Sequence, residues 1–505
     1  MKTLSQLTSL SGHAARLLLI VPVLLALLSA TTNLSAQTQN TTNVVMRGDY
    51  PDPSILREGD TYYLVHSCYD FFPGLLIWKS TDLIHWERAT RALHTFVGNV
   101  WAPDLIKHNG LYYLYFPTDR GGNYVITAKH PEGPWSEPVK IDVRGIDPGH
   151  IATPEGERFL FLNSGRMAPL APDGLSVTGD MVQVYTGWNY PVEWGVECFC
   201  LESPKLIYRE PYYYMTSAQG GTFGPATSHM AVAARAKSLH GPWENSPHNP
   251  IVKTWNTSDS WWSKGHGTVF SSPDNQWYIV YHAVEKGHMP MGRSTLIDPI
   301  EWTSDGWFRS GAQEQRYQLM NNTLNRSDNF SSPELDLQWS FSGITSHDQY
   351  RISNGQLIMD TDPDQIRLLH VLPGNPEFEA SAFIMPDAGT EGGLIVHLSD
   401  EYYAGLGIKD GVLFSILHGK KHWGAEINDS KIKYLKIRLD QYNLYLSYSH
   451  DGITWEPYEV ALEVSGYHKN AMGSSSSLKL GIFGKGDGQV KIDDFRINER
   501  ASTQK

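Results

Sequence analysis

The feature that most constrains the fold is a short aromatic cluster that recurs at intervals of roughly fifty residues. The clusters occupy residues 62–64, 112–114, 159–161, 212–214 and 277–279. Most of them follow a turn-forming run, and short alternating segments bounded by Gly, Pro, Asn and Asp lie between them. Because each unit is long enough for several short strands, the pattern predicts a five-bladed β-propeller whose inner strands converge on one axis. The alternative is a β-sandwich array with this spacing by chance.

A second domain follows the repeat. A polar run at 321–328 predicts a domain boundary. Beyond it, alternating segments such as 393–397 and 434–438 predict a β-sandwich of ~170 residues. Aromatic residues make up 12% of the chain, with 45 Gly and 29 Pro, which favours β-structure with many turns. We therefore predict an all-β chain with a propeller over 46–320 and a sandwich over 327–500.

The amino terminus has the layout of a secretory signal peptide. Lys2 and Arg16 precede an apolar run at 17–28, and small residues follow it. The run is short of the ~20 apolar residues that a membrane span requires, so a membrane anchor or buried helix is the weaker alternative. We expect residues 1–36 to be removed, 37–45 to form a linker, and the protein to be secreted or periplasmic without stable membrane insertion.

The net charge of the chain limits the classes of molecule that it is expected to bind. The formal net charge is -13, which is poorly matched to the phosphates of nucleic acids or to an anionic membrane surface. We therefore predict no nucleic-acid partner and a neutral substrate.

The three cysteines do not form a disulfide framework. Cys198 and Cys200 are too close to favour a bond with each other within one strand, so at most one bridge to Cys68 is expected. The chain has no CxxC pair to indicate a metal site. We expect all three to be small buried hydrophobic residues.

Three acids stand near the predicted inner strands. Asp52 lies between two prolines, which stiffen the backbone around it, and Asp147 precedes the third aromatic cluster. Glu202 follows an apolar segment, where partial burial would raise its pKa as a general acid requires. In isolation a turn aspartate is the preferred interpretation of Asp52, and the same ambiguity holds for Asp147. Glu193 and Glu197 compete with Glu202.

Taken together, these segments resemble family 43 of the glycoside hydrolases, five-bladed propeller enzymes that trim xylan and arabinan side chains. The resemblance covers Gly48 to about Gly311 and rests on the order and spacing of several motifs. They are Tyr50-Pro51-Asp52-Pro53-Ser54-Ile55, Tyr62-Tyr63, Phe72-Pro73-Gly74, Ser80-Thr81-Asp82-Leu83-Ile84-His85-Trp86, Val100-Trp101-Ala102-Pro103-Asp104-Leu105, Gly265-His266-Gly267 and Gly292-Arg293.

The resemblance implies an inverting acid/base mechanism. Asp52 matches the general base, Glu202 the general acid, and Asp147 the aspartate that orients the acid and tunes its pKa. The family usually has Gly after the acid, whereas this chain has Ser203, which puts substrate choice in doubt more than the role of Glu202.

Further residues resemble the sugar-binding set of the family. Arg293 matches the arginine of the deepest subsite, and Trp101, Tyr69 and Phe72 resemble walls of the sugar pocket, with blade core as the alternative for Trp101 and Phe72. His266 resembles the residue near the axis that holds a water or, in some members, a metal ion. A structural histidine is the alternative there. No cofactor is expected to be required, and a structural calcium near His266 stays open.

The predicted function is exo-acting hydrolysis of β-xylosidic or α-L-arabinofuranosidic bonds in hemicellulose-type oligosaccharides. The second domain resembles the concanavalin-like domain of family β-xylosidases, which fits a closed pocket better than an open cleft. Alternatives are an endo-arabinanase, a galactan hydrolase and a non-catalytic carbohydrate-binding propeller. A retaining fructan hydrolase would use an acid like that in Glu197-Cys198, but its Asn-Asp-Pro nucleophile motif is absent at 50–53.

Overall fold

The computed structural model describes residues 44–311, 324–473 and 476–499, which are almost entirely β-structure. The predicted signal peptide at 1–36 lies outside the described residues, as does nearly all of the predicted linker at 37–45. Among the described residues, no helix is long and apolar enough to cross a membrane. The short helical segments are Asn163–Gly165, Val192–Trp194, Met289–Met291, His347–Gln349 and Lys469–Met472.

The predicted five-bladed β-propeller is confirmed, and β1 (Val44–Met46) closes it by pairing with the last blade. Blade one contains β2 (Ser54–Glu58), β3 (Thr61–Val65), β4 (Gly74–Ser80) and β5 (Glu87–Leu93). Blade two contains β6 (Asp104–His108), β7 (Leu111–Pro117), β8 (Asn123–Ala128) and β9 (Val139–Ile141). Blade three contains β10 (Gly149–Ala152), β11 (Arg158–Leu162), β12 (Arg166–Leu170) and β13 (Val182–Gln183). Blade four contains β14 (Glu202–Arg209), β15 (Tyr212–Gln219), β16 (Met230–Ala236), β17 (Glu244–Asn245) and β18 (Val252–Lys253). Blade five contains β19 (Trp261–Ser271), β20 (Trp277–Glu285), β21 (Arg293–Trp302) and β22 (Phe308–Ser310).

The aromatic repeat marks the second strand of each blade. Strands β3, β7, β11, β15 and β20 carry the five clusters, and most of these rings are buried between neighbouring blades. The first strands β2, β6, β10, β14 and β19 contact one another around the axis. Residues at the start of these inner strands therefore meet at one end of the axis although they are far apart in sequence.

The predicted sandwich is also confirmed, as two antiparallel sheets that enclose one large apolar core. Its first strands are β23 (Ser340–Ser342), β24 (Tyr350–Ser353), β25 (Gln356–Asp360), β26 (Arg367–Val371), β27 (Phe378–Pro386), β28 (Glu391–Ser399), β29 (Tyr402–Lys409) and β30 (Val412–Leu417). The others are β31 (Lys420–Lys421), β32 (Ile427–Asn428), β33 (Tyr434–Asp440), β34 (Asn443–Ser449), β35 (Glu456–Glu463), β36 (Lys479–Lys485) and β37 (Gln489–Glu499). One sheet has the order β23-β26-β36-β28-β29-β30-β31, with β32 also paired to β30, and the other has the order β24-β25-β37-β27-β33-β34-β35.

Backbone hydrogen bonds join the propeller to the sandwich, and so do side-chain hydrogen bonds of the buried Arg91. The N–H groups of Phe72 and Phe341 each donate to the other residue's carbonyl, at 2.9 and 2.7 Å. Phe72 is 1% exposed and belongs to the sandwich core, where its ring lies 4.8 Å from that of His347. The prediction that Phe72 lines the sugar pocket is therefore wrong, because its side chain is enclosed by the second domain, which the motif alone could not reveal.

The expectation for the cysteines is wrong for two of the three. Cys198 and Cys200 form a disulfide with each other, whereas Cys68 is free and buried. The expectation assumed that the pair lies within one strand, where neighbouring side chains point to opposite faces. Instead the pair lies in the loop before β14, and Cys200 has a left-handed backbone with φ of 38°. This turn brings the two sulfurs to the same side.

We predict that Arg91→Ala destabilises the junction between the domains. Arg91 is 7% exposed, and its guanidinium donates to the carbonyls of Pro73, Leu337 and Trp339 at 3.2, 2.8 and 3.0 Å. Its loss leaves these acceptors unpaired in a buried environment, so the free energy of unfolding should fall by about 2–4 kcal/mol. Calorimetry of Arg91→Ala beside Arg57→Ala, an exposed arginine of β2, measures this. Equal midpoints for the two variants would contradict the prediction.

Candidate active site

Four residues in the inner strands, or in the turns that lead into them, have a left-handed backbone. Asp52, Asp147, Ser203 and His266 have φ values of 59°, 58°, 55° and 57°. This region is unfavourable for residues with a side chain, and such conformations cluster at functional sites. The turns point these side chains into the space at the end of the axis, which an ordinary strand entry would not do.

Asp52 is a buried carboxylate surrounded by donors. Its Oδ1 lies 2.8 Å from Arg293 Nη1, 3.1 Å from His282 Nδ1 and 3.4 Å from His266 Nδ1. Ser67 donates its hydroxyl to Oδ2 at 2.5 Å. Burial alone would raise the pKa of Asp52, but the positive charge of Arg293 and the neighbouring imidazoles hold it well below the usual value. Asp52 is therefore ionised at neutral pH.

Glu202 and Asp147 form the second half of the site. Carboxylate oxygens of these two residues and a ring nitrogen of His266 lie within 4.8 Å of one another. Burial raises the pKa of Glu202 well above its usual value, and the negative charges of Asp147 and Asp52 raise it further. The pKa of Asp147 rises to about 7, from burial and then from the charge of Asp52. The site thus holds one carboxylate whose ionised form is favoured beside an acid whose protonated form is favoured.

The strand register around Glu202 explains how the acid is held. Glu202 pairs with Ala218, but the pairing shifts before Lys205 meets Thr216, and Ser203 lies within this irregularity. The Ser203 N–H donates to Asp147 Oδ2 at 3.2 Å, which ties Asp147 to the residue after Glu202. The Ser203 side chain is fully buried.

Close approach of blades three and four requires a glycine below the site. A Cβ atom on Gly149 would lie 1.6 Å from the carbonyl oxygen of Pro204. Because no side chain fits there, Gly149 lets Asp147 and Glu202 come together.

A buried lysine links three blades beneath the acids. The Lys205 ammonium donates to Asp104 Oδ1, the Pro103 carbonyl and the Pro148 carbonyl, each at 2.9 Å. Its charge opposes the rise of the Asp147 pKa. Lys205 therefore fixes the spacing of the blades and moderates the electrostatics of the site.

The structure places Arg293, Tyr69 and Trp101, which the sequence predicts to bind sugar, close to one another. Arg293 Nη2 donates to the Tyr69 hydroxyl at 3.0 Å, so Tyr69 is adjacent to the Asp52 pair. Trp101 is partly buried against the hydrophobic cluster that contains Tyr69. Phe223 belongs to none of the sequence motifs. Its ring centroid lies 5.2 Å from the Arg293 guanidinium and 5.5 Å from Lys469 Nζ of the sandwich. The second domain thus reaches the rim of the site.

Sequence reasoning also missed Ser67, His282 and Thr222. His282 Nδ1 lies 3.2 Å from the backbone nitrogen of Asp52, and its Nε2 lies 2.9 Å from the Thr222 hydroxyl. A lone histidine in the apolar strand β20 was the available signal for His282. Of the acids that competed with Glu202, Glu193 and Glu197 are both exposed on the preceding loop.

The residues present do not match direct calcium coordination. Asp52, His266 and His282 form one group of potential ligands, and Asp147, Glu202 and His266 form another. Calcium takes six to eight oxygen ligands, whereas these groups mix imidazoles with carboxylates, and Asp52 already pairs with Arg293. Direct ligation of calcium by His266 is therefore a poor fit to this donor set.

Comparison with known families and proteins agrees with this architecture. Residues 41–308 match the family described as Glycosyl hydrolases family 43, and residues 327–475 match the Beta xylosidase C-terminal Concanavalin A-like domain. The crystal structure of the GH43 BlXynB protein from Bacillus licheniformis has the same fold, with a TM-score of 0.79 at 24% identity, covering 91% of this chain and 99% of that one.

Two curated relatives are similar in sequence. A non-reducing end alpha-L-arabinofuranosidase of Bacteroides ovatus is 30% identical over 439 residues, covering 78% of this chain and 79% of that protein. A beta-xylosidase of Bacillus subtilis is 29% identical over 308 residues, covering 54% of this chain and 57% of that protein. Because the family match spans more than half of the chain and the Bacteroides match spans most of both proteins, this chain belongs to glycosyl hydrolase family 43 and is a glycosidase.

Proposed function

We propose that this glycosidase releases single sugars from the non-reducing ends of oligosaccharides, with inversion at the anomeric carbon. The sugar would be β-linked xylose or α-linked L-arabinofuranose. The observation that carries the proposal is that Asp52, Asp147 and the partly buried Glu202 meet around His266, where Arg293 favours the ionised form of Asp52 and burial favours the protonated form of Glu202. Inverting hydrolysis needs this pair of states.

The chemistry would proceed in a single displacement. A water oxygen bonds to the anomeric carbon while the bond to the leaving oxygen breaks. Asp52 accepts a proton from the water, and Glu202 gives its proton to the leaving oxygen. Arg293 and Ser67 hold the Asp52 carboxylate in a fixed direction, so its remaining lone pairs can face the water. Afterwards a proton must leave Asp52 and another must return to Glu202.

Exo action is supported by the closure of the site. Phe223 lies between Arg293 of the propeller and Lys469 of the sandwich, and the Ser477 N–H donates to Asp49 at 3.2 Å beside the Arg293 backbone. A wall built by two domains favours a pocket that ends at one sugar over an open cleft. The names of the similar proteins include both an alpha-L-arabinofuranosidase and a beta-xylosidase, so we propose these two activities, singly or together.

Export is part of the same proposal. The amino-terminal sequence, with Lys2 and Arg16 before an apolar run at 17–28, supports a secreted or periplasmic enzyme. A polysaccharide substrate outside the cytoplasm is consistent with that location.

The first test is release of monosaccharide from unactivated xylo-oligosaccharides and arabino-oligosaccharides by wild type and Asp52→Ala. We expect wild type to release xylose or arabinose and Asp52→Ala to lose activity by about 10²–10⁴-fold, because the base is removed. Proton NMR at early times should detect the inverted anomer first. Release of the retained anomer would contradict inversion, and no release from any substrate would favour a binding protein or another glycan.

We predict that Glu202→Gln separates natural from activated substrates. Loss of the acid should lower kcat/KM on natural oligosaccharides by about 10²–10⁴-fold, with a much smaller effect on aryl glycosides whose leaving groups need no proton. Glu197→Gln is the matched control, because it removes the exposed acid that a retaining fructan hydrolase would use. If Glu197→Gln were inactive and Glu202→Gln active, the assignment of the acid would be wrong.

We predict that Asp147→Asn moves the alkaline limb of the pH profile. The negative charge of Asp147 is one cause of the raised Glu202 pKa, and activity requires protonated Glu202. Removing that charge lowers the Glu202 pKa, so the alkaline decline of kcat/KM should begin at a lower pH. The profile is measured beside Asp142→Asn, an exposed aspartate of the same segment. An alkaline limb in the same place for both variants would count against this role.

A further inference from the structure

Five aromatic side chains form a continuous strip on blade four and the loop before it. The strip consists of Trp255, Trp194, Trp188, Tyr190 and Phe199, in spatial order. Successive ring centroids lie 5.3, 5.7, 6.5 and 5.9 Å apart. Trp255 is 63% exposed and Phe199 is 40% exposed, so both ends are open to solvent. Trp188, Tyr190 and Trp194 between them are partly exposed, and a connected strip of large aromatic residues that reaches the surface is typical of a binding site.

The strip is held in place by polar contacts at its backbone. Gln219 accepts the Trp188 N–H at 2.9 Å and donates to the Trp188 carbonyl at 3.1 Å. The Tyr190 hydroxyl donates to the Cys198 carbonyl at 3.3 Å, next to the Cys198–Cys200 disulfide. Rings fixed before binding lose little conformational entropy when a ligand arrives.

A buried cation supports the exposed end of the strip. Lys253 Nζ lies 5.2 Å from the ring centroid of Trp194 and 5.9 Å from that of Trp255. Lys253 itself is only 7% exposed and also donates to the Thr227 carbonyl. The surface that the strip offers to a ligand is therefore mainly the uncharged rings.

The strip begins beside the proposed acid. Phe199 precedes Glu202 by three residues, and the Gly220 N–H donates to the Phe199 carbonyl at 3.2 Å. Gln219, which holds Trp188, directly follows Ala218, the strand partner of Glu202. Because Glu202 would protonate the leaving oxygen, the part of the substrate that departs lies on the Glu202 side of the pocket. A sugar chain leaving that side meets the strip.

We propose that the strip binds the leaving-group end of the substrate as a row of sugar subsites, which makes a linear neutral glycan chain the preferred substrate. Flat aromatic rings with exposed apolar faces bury the C–H faces of sugar rings and tolerate their hydroxyl groups. A net charge of -13 makes an anionic polymer a poor occupant. This inference rests on the proposed function, because it assigns the Glu202 side of the pocket to the leaving group.

The test compares Trp255→Ala with Trp423→Ala, a tryptophan that is 86% exposed on the sandwich. Each variant and wild type are assayed on an aryl monoglycoside of xylose or arabinofuranose and on linear xylo- and arabino-oligosaccharides of increasing length. Wild type should gain kcat/KM with chain length. Trp255→Ala should lose about three- to tenfold on the longest chains, while its activity on the aryl glycoside is unchanged. Trp255→Phe should retain most of the gain.

Direct binding separates failure of this inference from failure of the proposed function. Affinity for xylohexaose and for linear arabino-oligosaccharide is measured by titration calorimetry on the same proteins carrying Asp52→Ala, so that the oligosaccharides bind without being hydrolysed. Weaker binding by Trp255→Ala alone supports the strip even if no sugar is released. The inference is overturned if Trp255→Ala keeps the wild-type chain-length dependence and affinity, if it loses aryl-glycoside activity equally, or if Trp423→Ala behaves the same way.

Discussion

The buried pair of Asp52 and Arg293 is the interaction on which the rest of the site depends. Its atoms approach to 2.8 Å where each side chain is about nine-tenths enclosed, so the pair cannot rely on water for its charges. Replacing one partner would leave the charge of the other buried and unpaired, which lowers the free energy of unfolding strongly. Such pairs often contribute little net stability, and here the benefit is functional. The arginine keeps a carboxylate ionised although burial alone would neutralise it.

That negative charge then sets the state of the two other acids. The charge of Asp52 adds to burial in raising the pKa of Asp147 to about 7, and it contributes to the rise at Glu202. Arg293 thus favours the ionised form of Asp52, whereas burial together with the negative charges of Asp147 and Asp52 favours the protonated form of Glu202. Lys205, on the far side of Asp147, limits the effect and joins the blades whose strands carry the acids. Lys205 therefore affects both the pKa of Asp147 and the packing of the blades.

The parts of this arrangement that are local in sequence could be predicted, and those that depend on distant packing could not. The aromatic repeat revealed the propeller because each cluster reports the second strand of its own blade. The residues beside Asp52, Asp147 and Glu202 made these acids candidates, and the family resemblance supplied their predicted roles. Phe72 was misjudged because the sandwich that buries it begins far along the chain. His282 carried no motif, since its importance comes only from its approach to Asp52.

The sandwich is connected to Arg293 through one aspartate. Asp49 is 3% exposed and accepts hydrogen bonds from the Arg293 N–H at 3.1 Å and the Ser477 N–H at 3.2 Å. Gly292, with φ of 79°, leaves room for this contact, because a Cβ there would lie 2.4 Å from the Asp49 carboxylate and 2.7 Å from Ser477. Burial raises the pKa of Asp49 despite the nearby charge of Arg293. The Asp49 carboxylate thus binds both the first residue of β21, Arg293, and Ser477 of the sandwich. A displacement of the sandwich would therefore move Arg293 and change its pairing with Asp52. The second domain is therefore connected to Asp52 through Asp49 and Arg293.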